Sequence, residues 1–373
     1  MDKTAISPVD ALFAGGLYPI EFLFFYRNRV DAERIRSALR FLSSAFWPVF
    51  GRYGHGAIHA LSFRPDNYSA EEMIASDFDM EADSMDLFRI YSRANPGELP
   101  GLFFLKVLQY QNGTVIIPKM AHVAGDGYSY FFFLSALASA ARAGEPGRMQ
   151  RAMKLFTPKH NRILLDDFAF DRQVPSLSSS QKDFTIEQTR IPKNEVKTAI
   201  KNISRTRGQA VSTNDLLTAM IAQNYTKILL KHSQKTMQLT IPIDVRRHID
   251  DWGAAYLGNG LQFHTLLLNM DEIQSMDTEA LEVQIRESMP SVTREDYIEY
   301  LRRLARHVKT CPRENLQTYD PRKGILVTNL SRLPLERLDF GTGPPDFSLL
   351  LTVGENSAAI LSDADHFVLR MAY

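Results

Sequence analysis

The segment Ala121-His122-Val123-Ala124-Gly125-Asp126-Gly127 places an imidazole and a carboxylate four residues apart, with a glycine on each side of the Asp. A neutral imidazole is the usual general base near neutral pH. The segment falls where a strand pattern, Thr114–Met120, gives way to a helix pattern running from Tyr128 to about Arg142. A histidine at a strand end, with small neighbours, can face a cleft unobstructed, and an Asp in the same turn can orient the loop or the ring. Spacing alone does not separate such a pair from a structural one. No second His stands at helical spacing, so this is not a metal signature. His55 and His59 lie in a glycine-rich stretch whose spacing is no ligand pattern. Cys311 is the only cysteine, which excludes an intrachain disulfide and any Cys-based metal site; beside Pro312 it reads as an ordinary thiol.

Elements on both sides must aim this segment. Phe22–Tyr26 reads as a buried aromatic strand, and Asp31 caps a helix to about Phe46 with Ile35, Leu39 and Leu42 on one face. Gly101–Gln109 and Thr114–Met120 flank Asn112-Gly113, a hairpin-turn dipeptide. Residues from Gly144 to about Gln181 carry Pro146, Gly147, Pro158, Pro175 and Ser178-Ser179-Ser180, and read as a crossover with packable apolar residues. A strand near Phe184–Ile191 and a helix from Lys193 to Arg205, closed by Gly208, open the second half. Ser212 starts a helix to about Lys231. Strands at Leu239–Val245 and Leu261–Asn269, helices at Asp277–Ser288 and Arg294–Val308, and four strands from Ile325 to Ala372 follow. Each half mixes helices and strands, which predicts two α/β layers sharing an interface.

Composition narrows the function classes. Hydrophobic residues make up 45% and charged residues 23% of the 373, and 43 Lys plus Arg balance 43 Asp plus Glu. That suits a globular chain long enough for two domains and excludes a disordered one. A net charge of zero offers no broad basic field for nucleic acid. The most apolar stretches, Leu17–Tyr26 and Tyr128–Ala141, are shorter than the ~20 residues of a spanning helix. No membrane span and no secretory signal are expected, and the scarcity of Cys fits a reducing compartment.

His122-Val123-Ala124-Gly125-Asp126-Gly127 resembles the HxxxDG motif of the BAHD acyltransferases, within the CoA-dependent acyltransferase superfamily. Further matches follow in the family's order: Ile6-Ser7-Pro8-Val9-Asp10 at the opening, Leu23-Phe24-Phe25-Tyr26-Arg27 in the first strand, and Pro48-Val49-Phe50-Gly51-Arg52. In the second half come Ser212-Thr213-Asn214-Asp215, Asp244-Val245-Arg246-Arg247, Tyr256-Leu257-Gly258-Asn259 and Asp339-Phe340-Gly341-Thr342-Gly343, the last resembling DFGWG. Thr342 stands where that motif usually has Trp, as Leu330 does where plant members often have another.

The resemblance implies an α/β fold of two domains, with mixed sheets flanked by helices and an active site at the domain interface. The expected boundaries are 1–143 for the domain carrying HxxxDG, 144–181 for the crossover and 182–373 for the domain carrying DFGTG. It implies an O- or N-acyltransferase that moves an acyl group from acyl-CoA directly to an alcohol or amine. His122 would be the general base and Thr328 the donor to the tetrahedral oxyanion. Asp126 would hold the motif loop, locked by Arg246. Asn259 and Tyr128 would line the cleft; Ser212 and Thr213 would contact CoA or simply cap their helix. Asp339 and Gly341 would shape a loop. The implied co-substrate is acyl-CoA, with no metal and no permanently bound cofactor, in a cytoplasmic monomer. A carrier-protein donor, or a silent scaffold of this fold, are the alternatives; the intact His122/Asp126 pair argues against the scaffold.

Overall fold

A computed structural model of the protein describes residues 2–16, 18–73, 76–93, 101–170, 185–208, 210–229, 234–312, 316–352 and 354–373. Pro175, the Ser178-Ser179-Ser180 run, Phe184 and Lys231 lie outside them. In chain order the first half contains β1 (Lys3–Ala5), α1 (Pro8–Ala11), β2 (Ile20–Tyr26), α2 (Ala32–Leu42), α3 (Trp47–Phe50), β3 (Arg52–Gly54) and β4 (Ala57–His59). It continues through β5 (Tyr68–Met73), α4 (Ser84–Arg93), β6 (Phe103–Tyr110), β7 (Gly113–Met120), α5 (Gly127–Ala143) and α6 (Pro146–Met153). The second half contains β8 (Ile186–Pro192), α7 (Lys193–Arg207), α8 (Thr213–Leu229), β9 (Thr236–Asp244), β10 (Leu261–Asn269), α9 (Met270–Ser275), α10 (Thr278–Ser288) and α11 (Arg294–Thr310). The chain then closes with β11 (Gly324–Asn329), β12 (Phe347–Leu350), β13 (Ser357–Ser362) and β14 (His366–Ala372).

These strands form two large mixed sheets and one small one. The first has the order β12-β2-β7-β6-β5, the second β10-β9-β11-β13-β14-β8, and β1-β4-β3 stand apart. In the first, β5 runs parallel to β6; in the second, β11 runs parallel to both neighbours. The α/β fold with mixed sheets is thus the observed one, and β12 crosses from the second half to pair with β2.

Side-chain alternation assigns each sheet face. On β2, Phe22, Phe24 and Tyr26 enter the main core while Leu23 and Phe25 enter a smaller one with Phe78, Leu87 and Tyr91. A strand buried on both faces reads as a continuous apolar run, as Ile20–Tyr26 does. On the second sheet, Ala358 and Ile360 share a core with α8 and α10, whereas Ala359 joins the main core, to which both halves contribute.

Local chemistry explains where the observed bounds depart from the expected ones. The hairpin turn is Gln111-Asn112, because Gly113 already pairs with Tyr110. Gly113 has φ +155°, and a Cβ there would sit 2.1 Å from the Tyr26 carbonyl oxygen. Asn112 braces the turn by bonding both the N–H and the carbonyl of Phe78. Within the stretch read as crossover, Pro146 sits in the first turn of α6, where its missing N–H costs nothing. Among the described residues no helix is long and apolar enough to cross a membrane.

Candidate active site

β7 delivers His122 and α5 begins immediately after it. Asp126 is the N-cap of α5, extended at φ −85°, ψ −175°, and its Oδ1 accepts the Ser129 N–H at 3.0 Å. Gly125 is required by packing, since a Cβ would lie 2.7 Å from that of Ser129.

Asp126 enters a buried network. Arg246, just beyond β9, donates from Nη2 to Asp126 Oδ1 at 2.7 Å, to Ser129 Oγ at 3.0 Å and to the Gly258 carbonyl at 2.8 Å. The Gly260 N–H donates to Asp126 Oδ2 at 2.9 Å. Both side chains of the pair are 3% exposed, so neither charge has water to fall back on. Burial pushes the Asp126 carboxyl up, but Arg246 and the two backbone donors outweigh it and hold it below its ordinary value. Tyr128 lays its ring under the Arg246 guanidinium, 4.7 Å away, and donates its hydroxyl to the Ala254 carbonyl.

His122 is held separately. Its ring stacks on Phe13 at 3.8 Å and 13°. Its Nδ1 lies 3.1 Å from Asn259 Oδ1. The Asn259 amide is oriented by its other end, where Nδ2 donates to Asp10 Oδ1 and to the His122 carbonyl, both at 2.8 Å. The oxygen therefore faces the ring, Nδ1 must carry the proton, and Nε2 keeps its lone pair. No hydrogen bond engages Nε2 among the described residues.

Burial lowers the His122 pKa, outweighing the opposite pulls of Asp126, Asn259 and Asp10. The ring is neutral at neutral pH, as a base must be. The acid limb of a kcat/KM profile should accordingly fall below the ordinary imidazole value of about 6.5. Stability carries the same sign. The unfolded ring takes up its proton first, so this group's contribution weakens as pH falls below about 6.5. An acid limb above that value would contradict the burial argument.

This architecture has known counterparts. The model of the Transferase family matches residues 70–365. The chain belongs to this family, the BAHD acyltransferases. Among solved structures it is similar to F. graminearum TRI101 complexed with coenzyme A and deoxynivalenol, at 14% identity and TM-score 0.72, over 100% of this chain and 95% of that one. Vinorine synthase matches at 16% identity and TM-score 0.72, over 100% and 90%. The epimerization domain from the third module of tyrocidine synthetase B matches at 13% identity and TM-score 0.64, over 100% and 91%. No curated protein matches the sequence significantly.

The remaining expected site residues of this BAHD acyltransferase fall into two groups. Thr328 lies on β11, on the face opposite the buried Val327, and pairs with Ala359. Leu330, two residues on, comes within 3.7 Å of a Cβ built at Gly127, so the end of β11 meets the motif loop. Asn329 bonds Asn214, which brings Thr213 and the start of α8 to the same strand end. Ser212 is committed to the cap, its hydroxyl donating to Asp215 Oδ2 and accepting the Asp215 N–H. Asp339 accepts the N–H groups of Gly341 and Gly343 and pairs with Arg142 at 2.8 Å, tying its loop to the far end of α5. Gly341 holds φ +109°, a conformation that favours glycine.

Two residues behind Asn259 and the motif loop went unassigned in the sequence. Asp10 was visible only as part of the opening match, and the cap pattern Ser7-x-x-Asp10 was its one local signal. Arg162, inside the crossover, offered none.

Proposed function

We propose that the enzyme transfers an acyl group from acyl-CoA directly to an alcohol or amine, with His122 Nε2 as the general base. Nε2 takes the acceptor's O–H or N–H proton as that oxygen or nitrogen attacks the thioester carbonyl carbon. The carbonyl electrons move onto oxygen, and the Thr328 hydroxyl donates to that oxyanion. Collapse breaks the C–S bond, and the imidazolium returns its proton to the leaving thiolate. Asn259 Oδ1 accepts the Nδ1–H throughout, so it supports both the neutral ring and the cation.

The observation that carries this reading is the Asn259 amide, whose Oδ1 faces His122 Nδ1 and so calls for the proton there, leaving Nε2 free on a half-buried ring. The CoA bound in the TRI101 structures supports the donor class. Holding two substrates in line supplies much of the rate without a covalent step. Acyl-CoA thioesters screened against pooled alcohols and amines should release CoA and yield acylated product by mass. Initial-rate patterns should be those of a ternary complex. Incubation with acyl-CoA alone should leave the protein mass unchanged; an acyl adduct that an acceptor discharges would overturn direct transfer. Turnover only with an acylated carrier protein would reassign the donor and keep the base.

A further inference from the structure

We infer that Asp10 is a positioning residue for this reaction, which selects the tautomer of His122 by orienting the Asn259 amide. The inference rests on the proposed role of Nε2 as the base.

Asp10 is fully buried on α1, far in sequence from Asn259 and Arg162, which it touches. Its two oxygens have different duties. Oδ2 accepts three hydrogen bonds, from Ser7 N at 2.8 Å, Ser7 Oγ at 2.9 Å and Arg162 Nε at 3.1 Å. Oδ1 accepts from Asn259 Nδ2 at 2.8 Å. Arg162 in turn donates from Nη2 to the Ala124 carbonyl, within the motif loop. Its side chain is 1% exposed, and among the described residues Asp10 is the carboxylate it pairs with.

An acid at position 10 therefore presents only acceptors, on both sides. An amide of the same shape cannot do so. With its nitrogen towards Ser7 and Arg162 it meets three donors. With its nitrogen towards Asn259 it meets that residue's own N–H. The second clash is relieved by rotating the Asn259 amide, which gives up its bond to the His122 carbonyl and turns an N–H towards His122 Nδ1. The ring must then accept there, and its proton moves to Nε2, where a base needs a lone pair. The helix that carries Asp10 is thus coupled to proton transfer through two side chains.

Asp10→Asn tests this with almost no change of volume. Nitrogen-15 NMR of His122 should change from a protonated Nδ1 with a bare Nε2 to a mixture containing the Nε2–H form. Turnover should show kcat lowered about 10–100-fold, the range seen when outer-shell partners are lost, with KM nearly unchanged. The double variant D10N/N259D exchanges the donor and acceptor ends. The amide introduced at position 10 then donates to the carboxylate introduced at position 259. The other oxygen of that carboxylate accepts the Nδ1–H, so the original tautomer and part of kcat should return, the lost donor to the His122 carbonyl limiting the recovery. A residue that merely held the fold would not be rescued by that exchange. A folded D10N with the tautomer unchanged and kcat within about twofold of the parent overturns the inference, as does a folded double variant with Nε2–H. If D10N alone does not fold, the double variant decides. Loss of the base reading itself would show in a fully active His122→Ala, while the NMR signals would still report whether Asp10 sets the tautomer.

Discussion

His122→Ala is expected to lower acyl transfer by about 10²–10⁴-fold while leaving the fold intact. The imidazole contributes its stacking on Phe13 and one hydrogen bond to Asn259, a small part of the core around it. Its chemical contribution in the proposed mechanism is larger, because its Nε2 is the base that takes the acceptor's proton. Circular dichroism and thermal melting should show a native fold, and product release should be measured at saturating acyl-CoA. A folded variant with near-parental turnover would remove His122 from the mechanism.

Removing either partner of the Asp126–Arg246 pair should cost about 3–5 kcal/mol of stability, together with activity. The reason is the buried charge that each deletion leaves without its buried partner, both side chains being 3% exposed. Arg246→Ala strands a carboxylate between two backbone donors. Asp126→Ala leaves the guanidinium, which also bridges Ser129 and Gly258, with only the part-exposed Asp244 at 3.2 Å as counter-charge. The double variant should be less destabilised than the sum, since it leaves neither charge alone. Urea titrations of the four proteins measure this, and simple additivity would show that the pair is not coupled. The depressed Asp126 pKa gives a matching acid sensitivity. Its stabilising contribution is present above the unfolded carboxyl value of about 3.9 and is lost as pH falls through the lower folded value.

Local patterns made much of the fold legible. Asp31 caps α2 as its position announces, and Gly208 closes α7 in the left-handed conformation. The short strands β1, β3 and β4 escaped because three residues cannot display a period of two. The helix Pro146–Met153 escaped because its flanking glycines and proline also spell a loop. In the site, His122, Asp126 and Arg246 were accessible through the resemblance. The role of Asn259 was not, since its contact with the ring depends on which way an amide faces. Arg162 lies 152 positions from Asp10, and a buried ion pair across that gap imprints no pattern on either neighbourhood.

The pairing of β12 with β2 bears on how the molecule is made. Phe22 to Phe25 bond with Leu350 to Phe347, so one edge of the first sheet waits for nearly the last strands to be synthesised. Until then β2 offers an unpaired, largely apolar margin to any other extended segment. On a ribosome delivering ~5–20 residues per second, that margin stays open for tens of seconds. Cutting the gene between the two sheets would leave the first fragment without its closing strand.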